Sequence, residues 1–175
     1  MATKRAWKML VATGLGIVFG AGCGGDCLER DTGESVLTSC VSRVQLQQAE
    51  TGFPRPPDGS ACSGQERYVV DLMAGTIEWS SCLDSSLSEA WTTTSGQRAL
   101  TPDELADFVA ALNDLTVSGD EGGCGGVDKP TRTIRLFGDD ADLTYNDSFY
   151  RCRKPAPHVD QIDSAFEIAH ELTAQ

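Results

Sequence analysis

Seven cysteines, at positions 23, 27, 40, 62, 82, 124 and 152, are the residues of this chain best equipped for chemistry. A thiolate can attack a substrate, hold a metal or close a disulfide. Spacing argues against the first two uses. No two cysteines stand as CxxC, and the only histidines, His158 and His170, make no Cys/His zinc pattern. Glu167 and His170 stand at i and i+3, the spacing of carboxylate-bridged metal bundles, but that chemistry needs a second such motif and none is present. Asp139, Asp140 and Asp142 lack the twelve-residue calcium-loop pattern and read as a solvated turn. "SGDEGGCGGVDKP" (118–130) lacks GxxxxGK[ST] and carries acid where a phosphate cradle needs base. GxSxG and HExxH are absent too. The chain therefore reads as a protein that is not an enzyme, with no cofactor and no metal.

An odd cysteine count in an exported chain asks for one residue with another fate. The first residues supply the export signal. Lys4, Arg5 and Lys8 form a positive region, Met9 to Phe19 is mostly apolar and uncharged, and Gly20, Ala21 and Gly22 are small. The apolar run is too short to span a bilayer as a helix. "GAGC" at 20–23 resembles the lipobox of bacterial lipoproteins, with Gly20 standing where that family usually has an aliphatic residue. The resemblance implies a diacylglyceryl thioether on Cys23, cleavage before it, and a cell-envelope location. Gly24 rather than Asp after that cysteine implies the outer membrane if the source has two membranes. Residues 1–22 are thus a signal peptide, 23–34 a short tether and 35–175 a single domain.

With Cys23 acylated, Cys27, Cys40, Cys62, Cys82, Cys124 and Cys152 are left for three disulfides in an oxidising compartment. Six cysteines allow fifteen pairings that sequence does not distinguish; Cys124 with Cys152 is the one favoured here, because the two flank one expected hairpin.

The chain carries 14 basic and 26 acidic residues, and loss of Lys4, Arg5 and Lys8 with the leader takes its net charge from −12 to −15. Such a charge speaks against nucleic acid and against electrostatic docking on anionic lipid. Contact with the membrane then runs through N-terminal acyl chains. Lys129, Arg132, Arg135, Arg151, Arg153 and Lys154 form the one basic concentration. They read first as neutralising nearby aspartates and second as a contact patch for an acidic partner.

The elements that must carry these residues follow from periodicity. "VSRVQLQQ" (41–48) alternates as a strand does, with a helix as rival, and the proline-rich "TGFPRPPDGSACSG" after it is loop. "RYVVDLM" and "TIEWSSC" form a hairpin turning at Gly75, "SEAWTTT" (88–94) is a third strand, and "SGQ" turns the chain. "TPDELADFVAALNDL" (101–115) is a helix with Thr101 as N-cap, Pro102 in the first turn and Glu104 closing a capping box. Its apolar stripe is Leu105, Phe108, Val109, Leu112 and Leu115. "TRTIRLF" and "LTYNDSFY" form a second hairpin. "VDQIDSAFEIAHEL" (159–172) is an amphipathic helix, with His158 as its cap and Ile162, Ala165, Phe166, Ala169 and Leu172 on one face. The expected fold is α+β: an antiparallel sheet of hairpins, two amphipathic helices on one face, disulfide-braced.

The order capped helix, "TRTIRLFGDDADLTYND", closing helix is similar at the level of pattern, over residues 67 to 172, to emfourin-type bacterial protease inhibitors, which lack the cysteine bracing. The leading functional reading is a membrane-anchored, non-catalytic binding lipoprotein acting on an unknown envelope or secreted protein. Inhibition of a secreted protease is the alternative, and an envelope enzyme comes third.

Overall fold

The structure is a computed structural model that describes residues 28–49, 64–82, 93–119, 129–139 and 141–174. The expected leader, Cys23, Cys27, Cys62, Cys124, Asp140, nearly all of the proline-rich loop, most of the strand expected at 88–94 and most of the glycine-rich loop lie outside the described residues, as does one partner of the expected Cys124–Cys152 pair.

Among the described residues ten strands and α-helices follow in order: β1 (Arg43–Ala49), β2 (Gln65–Asp71), β3 (Thr76–Ser81), β4 (Thr94–Ala99), α1 (Pro102–Asn113), β5 (Thr116–Ser118), β6 (Thr131–Phe137), β7 (Asp142–Asp147), β8 (His158–Asp160) and α2 (Ile162–Thr173). One turn of 3-10 helix, Ser148–Tyr150, separates β7 from β8. The strands form one eight-stranded sheet ordered β4-β3-β2-β1-β6-β7-β8-β5. Every neighbouring pair is antiparallel except β7 and β8. The fold is therefore α+β, with a mostly antiparallel sheet and two helices.

Strand periodicity decides what the covered face contains. Along it run three cross-strand rows. The first joins Leu143, Leu136, Val44, Val70, Ile77 and Arg98; the second Tyr145, Ile134, Leu46, Tyr68, Trp79 and Gly96; the third Arg132, Gln48, Glu66, Ser81 and Thr94. The first two rows are mainly apolar and, with Phe108, Leu112 and Leu115 near α1 and Ile162, Ala165, Phe166 and Ala169 of α2, make one core. The third row is polar. It closes the core at one end of the sheet, called here the distal end. The opposite, proximal end holds the start of β1, the β2–β3 turn and the β6–β7 turn.

The first helix forms as its cap residues dictate. Thr101 Oγ1 accepts from the Glu104 amide at 3.3 Å, and Glu104 accepts in return from the Thr101 amide at 2.7 Å. Arg98 donates two bonds to the same carboxylate, at 2.7 and 3.0 Å, and a third to the Leu172 carbonyl at 2.8 Å. Strand β4 is thereby tied to the start of α1 and the end of α2.

Four expectations are corrected. "SGQ" (95–97) does not turn the chain but lies inside β4, because Gly96 sits under the Trp79 ring: a Cβ there would meet the indole at 2.3 Å. The last helix begins at Ile162 rather than 159. Residues 158–160 form β8, filling the gap between β7 and β5, and Gln161, at φ 63°, turns strand into helix. His158 is accordingly no cap; it is buried in β8 with Nε2 3.1 Å from the Lys154 carbonyl. The strand after the "GDDAD" turn stops at Asp147, whose carboxylate accepts from the Phe149 amide and opens the 3-10 turn. Contacts with the sheet also reach residues before 35. Leu28 is buried, the Tyr145 hydroxyl donates to its carbonyl at 3.2 Å, and the Gly33 amide donates to Val117.

Two stability effects are expected. Gly96→Ala should cost about 1–3 kcal/mol in urea denaturation, since the new methyl overpacks against Trp79. Arg98 and the Thr101 backbone hold the Glu104 carboxyl down to about 2 against an ordinary 4.5. Its contribution is complete above pH 4.5 and disappears as pH falls toward 2. Glu104→Gln should flatten the acid limb of a Tm-against-pH curve in that window.

Candidate functional site

The polar third row and α2 enclose a cleft of about 270 Å³ lined by Gln48, Glu66, Arg132, Phe166, Glu167 and His170. Sheet register supplies three of these side chains. Gln48, Glu66 and Arg132 continue the inward positions of Leu46, Tyr68 and Ile134, one residue pair further along adjacent strands. Helix periodicity supplies the other three: Phe166, Glu167 and His170 lie within one turn and a half of α2.

The floor is hydrogen-bonded to itself. The Tyr68 hydroxyl donates to Glu66 Oε1 at 2.5 Å and lies 3.3 Å from His170 Nδ1, which is 3.8 Å from Glu66 Oε1. Burial first, and the adjoining Glu66 carboxylate second, push the Tyr68 phenol well above the ordinary 10.0. It stays protonated at all physiological pH, so it acts as a donor and not as a base. Glu66 is itself only 8% exposed, and the loss of that donor would leave a buried carboxylate short of a partner.

Arg132 forms the other wall. Its Nε donates to Gln48 Oε1 at 2.6 Å, its Nη1 pairs with Asp163 Oδ1, and its guanidinium lies 4.9 Å from the centre of the Phe166 ring. Lys129 bridges Asp147 at 3.0 Å and Asp163 at 2.9 Å. Burial alone would lower the Lys129 pKa, but its bonds to Asp163 and Asp147 outweigh that and raise it. Burial would likewise raise Asp163, and Lys129 followed by Arg132 hold it below the usual range. Asp163, in the first turn of α2, also faces the positive end of the helix. The two cations are thus committed to aspartates, while Glu66 and Glu167 leave the cleft with acidic character. Glu167 and His170 are the lining residues turned to solvent.

Of the residues singled out by sequence, Arg132, Phe166, Glu167 and His170 meet at this cleft. The six basic residues do not gather into one patch. Arg135 lies on the other face of β6 and pairs with Asp142, Arg151 donates to Ser118 Oγ at 2.8 Å, and Arg153 and Lys154 are exposed. Aspartate partners occupy Lys129, Arg132 and Arg135, as the neutralisation reading has it. Three cysteines fall among the described residues. Cys40 and Cys82 are buried, at the proximal and distal ends, and Cys152 is exposed after the 3-10 turn. No group of three or more His, Cys, Asp or Glu able to hold a metal occurs among the described residues.

Sequence reading passed over Gln48 and Glu66, and took Arg132 only as a member of the basic concentration. The available signal was a polar residue at an inward position of a strand whose other inward positions are apolar. No protein-family model matches the chain, and no curated protein matches it.

Tyr68→Phe should cost about 1–3 kcal/mol at neutral pH, by stranding the Glu66 carboxylate. Because its folded pKa is raised, the Tyr68 contribution holds below the ordinary value of 10.0 and declines above it. An absorbance titration at 295 nm should show a late-ionising component from Tyr68 and Tyr145, both raised by burial, and Tyr68→Phe should reduce it by one tyrosine.

Proposed function

We propose that this protein is a lipid-anchored bacterial envelope lipoprotein that binds a partner protein and catalyses no reaction on it. Acyl chains on Cys23 hold it to the membrane, the outer one where the source has two, and disulfides among the remaining six cysteines brace the domain. The single observation that carries the binding reading is the cleft at the distal end. Its buried groups are satisfied within the floor and walls, whereas Glu167 and His170 project outward beside a second carboxylate, Glu66. A pre-formed acidic recess of this kind suits a basic side chain presented by another protein, because lysine and arginine carry donors and charge that two carboxylates can take up.

Two measurements test the proposal. The intact mass of the mature protein from membranes should show a start at Cys23, added acyl mass, and no thiol alkylated before reduction. A photo-reactive residue in place of Glu167 should give a discrete adduct in cells. The same residue in place of Glu78, exposed on the opposite face of β3, should not. Ordinary cleavage without acyl mass would remove the anchor, and matching adducts from both positions would remove the cleft from the reading.

A further inference from the structure

Leu28, five residues beyond Cys23, is locked into the proximal end of the sheet. A Cβ on Gly138, at the β6–β7 turn, would meet Leu28 Cδ1 at 3.6 Å and the Cys40 carbonyl at 3.5 Å. Five residues of chain reach at most about 18 Å when fully extended. The strands themselves run about 20 Å from one end to the other. An acyl group on Cys23 therefore holds the proximal end close to the bilayer and leaves the distal end farther out.

A second observation marks the same end. Among the described residues the one large hydrophobic side chain left in solvent is Met73, 66% exposed, in the β2–β3 turn. The turn is fastened rather than loose. Asp71 Oδ1 accepts from the Met73 and Ala74 amides at 3.0 and 2.7 Å, and the Leu72 amide donates to Ser42 at 2.9 Å. Ser42 in turn donates its amide to the Phe137 carbonyl at 2.9 Å, which joins this turn to the strand end beside Leu28. Arg43 and Arg135 both stack on Phe137, at 4.3 and 5.0 Å from the ring centre, at the same end. An exposed methionine beside Arg43 suits the boundary between headgroups and acyl chains, while Arg135 is paired with Asp142 and the exposed Asp139 lies at the same end. The distal cleft, with Glu66 and Glu167, does not suit that boundary.

We infer that the proximal end, with Met73 at its tip, is a lipid-contact surface that seats on the bilayer and turns the Glu66–His170 cleft away from it. This rests on the lipid anchor at Cys23 proposed above.

Met73 is the only methionine after residue 22, so its oxidation is read as one oxygen atom on the proteolytic peptide that carries it, apart from the Cys23 thioether. The acylated protein on phosphatidylethanolamine–phosphatidylglycerol vesicles is treated with peroxymonosulfate, a charged oxidant that stays in water. Separately, Glu167 is amidated with a water-soluble carbodiimide and glycine ethyl ester. Comparison is with unacylated Cys23→Ser protein, and with a short methionine peptide in the same tube should that variant not fold. Met73 oxidation should slow about fivefold or more on vesicles, while amidation of Glu167 keeps its rate. Acyl mass on Cys23 with an unslowed Met73 overturns the inference and leaves the lipoprotein reading standing. Slowing at both Met73 and Glu167 overturns the orientation. Absence of acyl mass overturns the anchor and, with it, this surface.

Discussion

The register of β1 is the constraint on which both core and cleft depend. This strand pairs over all seven residues with β2 on one side and β6 on the other. Its inward residues, Val44, Leu46 and Gln48, thereby become the centres of the three rows on the covered face. Because side chains alternate, a slip of one residue would put Gln45 and Gln47 under the helices and send Val44 and Leu46 to the other face. The same slip would separate Gln48 from Glu66 and Arg132. The apolar rows hold the register, and the polar row takes its place as a consequence. Packing and site are therefore one arrangement.

Charge is handled by pairing across elements. Arg98 gathers the capping carboxylate of α1 and the last turn of α2 at one side of the sheet. Lys129 and Arg132 hold the first turn of α2 at the other, through Asp163. Helix α2 is thus tied near both ends by cations from the sheet side, with its apolar face pressed on the middle row between them. In a chain with nearly twice as many acids as bases, placing the few cations at helix ends makes each serve as both salt bridge and positioning contact. Partly buried pairs of this kind are screened less than exposed ones.

The two ends of the sheet differ in chemistry as a result. The proximal end closes on Leu28, Phe137 and Leu72, with Met73 beyond them. The distal end closes on glutamine, glutamate and arginine. Sheet polarity of this kind matches the proposed division of labour: attachment at the end where the chain emerges, recognition at the other.

Much of the fold was legible in the residues. Thr101, Pro102 and Glu104 announce α1, and the spacing of Ile162, Phe166, Ala169 and Leu172 announces the buried face of α2, because caps and helical stripes are local. Alternation around Val44 and Leu46, Tyr68 and Val70, and Ile134 and Leu136 marks the central strands for the same reason. Gly96 misled, since its role is set by a tryptophan seventeen residues away and not by its neighbours. The short strands β5 and β8 were invisible, because three residues carry too little periodicity and pair only through contacts that are distant in sequence. Local sequence thus determined the α+β class, the helices and the central strands, and it carries the residues on which the proposed anchor rests. Tertiary structure alone decided the strand order, the burial of Leu28 at one end, and the meeting of Gln48, Glu66, Tyr68, Arg132 and His170 at the other. Those residues come from four elements, and only sheet register and helix docking bring them within bonding distance.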